Sequence, residues 1–200
     1  MSAFLGPIHH WLYGKIQFQE KWIQSILSSA KENGWGDFEE KLDSACGAAD
    51  LRPLEDSIDQ GNIHGWLQQK IHVEEARLAV LVTELLKADA SRIDELTEIS
   101  FRFGKSNAPE EKLDASEAFQ LLNNTLLDGM PCDHVNQLLE NDKDIVVWQQ
   151  TQCLHREFWE QAGGDVAVYY ALRMRMIQGL LGESGLIFAG ENGRFEIRKD

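Results

Sequence analysis

The chain has 200 residues and a mass of 22.7 kDa, enough for one large domain or two small ones. Hydrophobic residues make up 43% and charged residues 26%, which excludes wholesale disorder, and a net charge of -14 excludes nucleic acid as the main partner. No apolar run approaches the ~18 residues of a membrane span, no basic leader opens the chain, and an odd three cysteines argue against a disulfide framework, so a cytoplasmic protein is expected.

The first predicted element is a long helix over 7–31. Ile8, Leu12, Ile16, Ile23 and Leu27 recur at helical spacings, Pro7 suits a first turn, and Asn33-Gly34 is a stop signal. A shorter helix follows over 37–46. Residues 47–60, with Pro53 and several acids, read as a connector with one turn of helix. A second long helix is predicted over 62–87 with Asn62 as its cap, and a shorter one over 91–103, ended by Gly104.

These helices are two copies of one unit. At an offset of 55, Gly6, Ile8, His9, Trp11, Leu12, Lys15, Ile16 and Glu20 are repeated as Gly61, Ile63, His64, Trp66, Leu67, Lys70, Ile71 and Glu75, eight identities in fifteen positions. Rare Trp and His among the matches make coincidence a poor explanation. Two tandem hairpins, copies 6–47 and 61–104, predict a pseudo-two-fold four-helix bundle over 1–104.

The last third reads differently. Residues 105–112 form a polar linker with Pro109; a helix is predicted over 114–127 and a short one over 131–140, opened by Pro131. The β-branched and aromatic run 144–151 predicts a strand, and Asp165 caps a helix over 166–181. Residues 186–188 and 195–197 flank Asn192-Gly193, a strong hairpin turn. The expected class is mainly α, with 113–200 as an α+β part bearing a small antiparallel sheet of three strands, packed on the bundle as one unit.

Several residue groups carry candidate chemistry. His9 and Glu20 share one stripe of the first helix with Leu12 and Ile16, and His64 and Glu75 repeat the relation. His72 lies one turn before Glu75. At about 1.5 Å per residue His9 and Glu20 stand ~16 Å apart, so one metal cannot take both from one helix. An antiparallel pair of long helices would bring His64 to Glu20. A parallel pair would gather the histidines at one level and the glutamates at another, making Glu20, Glu75 and His72 a transition-metal site. Neither Glu-x-x-His nor His-Glu-x-x-His occurs, and the repeated His and Glu equally fit a packing and hydrogen-bonding role. Cys132-Asp-His134 and Cys153-Leu-His155 offer zinc ligands, or a nucleophilic Cys132 or Cys153 with His155 or His134 as base. Tyr170 and Arg173, one helical turn apart, fit the wall of a pocket for an anion. The acidic pairs Glu39-Glu40, Glu74-Glu75 and Glu110-Glu111 read as solvated helix faces.

The opening run Phe4-Leu-Gly-Pro-Ile-His-His-Trp-Leu-Tyr13, together with 153–173, resembles a small uncharacterised family of prokaryotic helical proteins. The Cys-x-His, Gly-Asp and Tyr-rich helix of 153–173 is also similar to the L-2-amino-thiazoline-4-carboxylic acid hydrolase family, over less than a third of the chain. The leading expectation is a soluble protein that binds a metal ion or small ligand near the pseudo-two-fold axis, with His9, His64, Tyr170 and Arg173 as ligand-binding residues and a divalent transition metal as the cofactor. The alternatives are a thiol-dependent hydrolase and an assembly module whose Trp-rich helices form a homodimer.

Overall fold

The computed structural model describes residues 5–200. Two helices of equal length dominate it, α1 (Pro7–Glu32) and α4 (Ile63–Ala88). They lie side by side and parallel. His9 meets His64, Tyr13 meets Trp66 and Glu20 meets Arg77, partners separated by 55, 53 and 57 residues. A near-constant offset requires parallel axes. The short helix α2 (Glu39–Cys46) follows α1 and buries only Leu42. The connector contains α3 (Leu54–Ser57), the expected single turn. After α4, a 3-10 turn leads into α5 (Ile93–Ser106), which returns antiparallel to α1: Phe18 meets Phe103, and Trp22 Nε1–H donates to Ser100 Oγ at 3.1 Å.

The C-terminal part contains α6 (Ala115–Thr125), α7 (Arg156–Gln161), α8 (Val166–Leu181) and four antiparallel strands. β1 (Asn136–Asn141), β2 (Ile145–Gln150), β3 (Leu186–Glu191) and β4 (Arg194–Lys199) form one sheet in the order β1-β2-β4-β3. Asn192 and Gly193, both at positive φ, turn the β3–β4 hairpin where the Asn-Gly signal placed it. The helix α8 packs most intimately on α5. A β-carbon on Gly104 would run into the Met176 carbonyl, and one on Gly179 into the Phe101 carbonyl, so only glycine permits this backbone approach. The N-terminal helices and the sheet therefore share one core: Trp22 and Leu81 join Leu172, Trp148 and Ile197 in a single apolar cluster.

One expected element differs and one was not expected. Residues 131–140 are not a helix. Pro131–Asp133 makes one 3-10 turn, His134 breaks it at φ 47, and β1 follows, paired with β2. Local helix signals lose to the free edge of β2, which offers a ladder of backbone hydrogen bonds. The short helix α7 carried too little periodic signal to be expected, yet it buries Trp159.

A second, smaller apolar cluster lies around the starts of the long helices, made of Leu12, Tyr13, Ile16, Ile63, Leu67, Ile71 and their neighbours. Between the two clusters α1 contributes buried Gln19 and Glu20, and α4 contributes buried Glu74, Glu75 and Arg77. A belt of buried charge thus crosses the molecule between two apolar zones.

Candidate functional site

The parallel arrangement gathers the repeated residues by level, but it does not make them equivalent. At the helix starts, Gly6 N–H donates to His9 Nδ1 at 2.9 Å, which leaves the ring proton of neutral His9 on Nε2. That nitrogen faces His64 Nε2 at 3.3 Å and donates to it. His9 is buried and His64 exposed.

Three turns on, the two glutamates part company. Glu20 faces α4 and pairs with Arg77, Nε to Oε2 at 3.3 Å. Arg77 also donates to Asp43 Oδ1 at 2.6 Å and to the Gly47 carbonyl at 3.0 Å. Across from Glu20 stands Glu74, not Glu75. Burial, and then Glu20, push the Glu74 carboxyl up to about 10, so it is neutral at physiological pH. This group carries one arginine for two carboxylates and a neutral acid; Glu20, Glu74 and Arg77 are buried, and Asp43 caps the arginine from the exposed face of α2.

Glu75 is rotated about 100° from Glu74 and faces α7. Its Oε2 lies 2.9 Å from Nδ1 of His155, the residue that precedes α7. His155 Nε2 points at Asp128 Oδ1, 3.6 Å away. Arg173 on α8 grips Asp128 with two nitrogens at 2.5 and 3.0 Å, and donates to the Tyr169 hydroxyl at 3.0 Å. The Tyr169 ring lies over His155, centroids 4.0 Å apart. Burial pulls His155 down, but Glu75 and Asp128 outweigh it and hold the imidazole up at about 9. Burial pushes the Asp128 carboxyl up, yet Arg173 and His155 keep it well below the usual carboxylate range. At neutral pH a protonated His155 therefore stands between Glu75 and an ionised Asp128, which Arg173 grips from the far side.

Unlike the buried trio Glu20, Glu74 and Arg77, this group is flanked by space. A cleft of about 490 Å³ lies between α8 and the sheet. Met174, Ile177, Phe188 and Phe195 make it apolar, while Gln150, Cys153, Arg156 and Tyr170 line it with polar atoms. The Tyr170 hydroxyl lies 2.8 Å from Gln150 Oε1 and 3.2 Å from Cys153 Sγ. Asp128 borders a second cavity of about 250 Å³ with Trp11, Lys15 and His134, and Glu75 borders a third of about 360 Å³ with His72 and Phe158.

The structure redistributes the residues singled out in the sequence. Tyr170, Arg173 and Cys153 do meet at one cleft, but the Arg173 guanidinium is spent on Asp128, which leaves the exposed Arg156 as the cation at the rim. Glu20, Glu75 and His72 do not converge. Arg77 takes Glu20, His155 takes Glu75, and exposed His72 sits against Gln68 and Phe158. Among the described residues no group of three His, Cys, Asp or Glu side chains is placed to hold a metal. A parallel pair would have allowed that site, but Arg77 occupies the space between the helices and supplies the charge a metal would have brought. The Cys-x-His pairs do not assemble either. Cys132 and His134 are exposed, and the His155 ring is turned to Glu75 and Asp128. Glu74 and Glu75 are buried rather than solvated, because α4 has α1 on one side and α7 on the other.

Arg77 and Asp128 were missed, and Glu74 was read as a solvated acid. Arg77 sits inside an apolar run and aligns with Trp22 of copy one, a sign that the copies diverge there. Asp128, between Leu127 and Gly129, carries no periodic signal.

Comparison with family models, with characterised proteins and with solved structures gives no match to this chain. No described helix is long and apolar enough to cross a membrane.

Proposed function

We propose that the protein binds a small amphipathic molecule in the cleft between α8 and the sheet. One observation carries the reading: an apolar floor of Met174, Ile177, Phe188 and Phe195 ends in a polar group of Tyr170, Gln150, Cys153 and Arg156. At about 490 Å³ the cleft falls within the ~300–1,000 Å³ of small-molecule sites. Rigid walls suit binding: the β3–β4 hairpin forms one side, and the Asp128–Arg173 bonds fix α8 on the other.

The test is a titration with 1-anilinonaphthalene-8-sulfonate, an aromatic amphipath. One saturable site is expected. Met174→Trp, which fills the cleft, reduces its affinity at least tenfold with the far-ultraviolet circular dichroism unchanged. A folded Met174→Trp variant that binds the dye like the wild type sinks the reading.

Cys153 at the polar end supports a second reading, thiol-dependent hydrolysis of the bound molecule. Iodoacetamide labelling separates the two. Cys153 labelled well below pH 8, ahead of Cys46 and Cys132, favours hydrolysis; labelling only above about pH 8, as for an ordinary thiol, leaves binding alone.

A further inference from the structure

Both copies of the repeat carry the same device, a tryptophan followed four residues later by a lysine whose ammonium rests on the indole face. In copy two, Lys70 Nζ lies 5.2 Å from the Trp66 ring centre and meets Asp50 Oδ2 at 3.3 Å. In copy one, Lys15 Nζ lies 4.1 Å from the Trp11 ring centre. Lys15 is only 4% exposed, and it has no hydrogen bond or ion pair among the described residues. It lines the cavity of about 250 Å³ between α1 and the loop that follows α6.

The charges on that cavity are accounted for except one. Asp128 is held by two Arg173 nitrogens and by Asn136 Nδ2 at 3.2 Å, with His155 beyond. His134, the remaining titratable group on the wall, is exposed. The Asn123 and Asn136 side chains also line the cavity. Burial pushes the Lys15 ammonium down to about 8, with Asp128 opposing the shift and Arg173 adding to it. A buried ammonium with no ion pair of its own is costly, since Asp128 is already taken by Arg173, and the copy shows what answers it: a carboxylate.

We propose that this cavity binds a small carboxylic acid, with its carboxylate on Lys15 Nζ in the role that Asp50 plays for Lys70. The volume limits the ligand to a few carbon atoms, since it lies below the ~300 Å³ at which sites for larger molecules begin. Trp11 closes one side of the cavity over the ammonium.

The experiment titrates acetate and pyruvate against the full-length protein at constant ionic strength, with chloride as the control anion. It follows the lysine ¹³Cε resonances and the heat of binding. One saturable site is expected, with the Lys15 titration midpoint moving up from about 8 when the acid is bound. Lys15→Met lowers affinity at least tenfold. Lys70→Met, Arg156→Glu and Met174→Trp leave it unchanged, which separates this site from the α8 cleft. Met130→Trp, which fills the cavity from its wall, repeats the loss without touching the lysine. The proposal is overturned if neither acid moves the Lys15 resonance beyond what chloride does, or if folded Lys15→Met binds them as the wild type does.

Discussion

Two groups of buried charge meet α4, one through Glu74 and Arg77 and the other through Glu75, and they differ in a way that composition alone hides. The Glu20–Arg77–Glu74 cluster is buried between α1 and α4, and only the exposed Asp43 of α2 reaches it from the surface. The Glu75–His155–Asp128–Arg173 group touches three cavities. Both obey the rule that buried charges come paired. Only the second has cavities beside its buried charges. Buried ionisable residues thus mark where the fold spent its polar groups, and the adjacent space marks where a ligand fits.

The comparison breaks first at Arg77. Arg77→Met leaves Glu20 buried and unpaired between α1 and α4, and is expected to cost about 3–5 kcal/mol in urea unfolding. A loss under about 1 kcal/mol would mean that water reaches the group.

His155 tests the open group. Its folded value of about 9 exceeds the ~6.5 of a free histidine, so the stability it contributes is complete below about pH 6.5 and disappears as pH rises through 9. His155→Gln is expected to lose about 2–3 kcal/mol near pH 6 relative to the wild type, with the gap closing by pH 9–10. A gap that stays constant with pH would show that the imidazole is not charged between Glu75 and Asp128.

Glu74 runs the other way. An acid raised to about 10 must be protonated to fold, so its cost begins above about pH 4.5 and grows with pH. Glu74→Gln is expected to stabilise the protein by about 2 kcal/mol at pH 7 and by nothing at pH 4, read from the urea midpoint across pH. Destabilisation at pH 7 would mean that Arg77 keeps Glu74 ionised.

The smallest effect belongs to Lys15. Removing a buried ammonium that has no ion pair of its own should raise ligand-free stability by about 1 kcal/mol at pH 7 in Lys15→Met, whereas Lys70→Met should lower it slightly by removing one of the two cations on Asp50, the other being Arg52. Equal effects at the two positions would erase the asymmetry between the copies.

Much of the fold was readable. Both 26-residue helices, α8 and the Asn192-Gly193 hairpin follow from periodicity and turn chemistry. The failures share a cause. The stretch 131–140 has local helix signals, and only the vacant edge of β2 decides against them. The candidate site was readable by halves. Tyr170, Arg173 and Cys153 were found because they lie close along the chain. Asp128 was not, because nothing in its neighbours announces that Arg173 and His155 will close on it from α8 and the start of α7.

The sequence by itself determined the duplication, the equal helices and the chemistry repeated along them: histidine, tryptophan, lysine and glutamate at fixed spacings. Tertiary structure decided what each repeated residue meets. An α-helix turns about 100° per residue, so neighbours on one helix face different partners, and those partners come from elements remote in the chain. Glu20 found Arg77 where Glu75 found His155, and Lys70 found Asp50 where Lys15 found a cavity. Identical residues in two copies acquired different chemistry because the copies lie against different C-terminal elements, α6 beside α1 and α7 beside α4, and those contacts are not written in either copy.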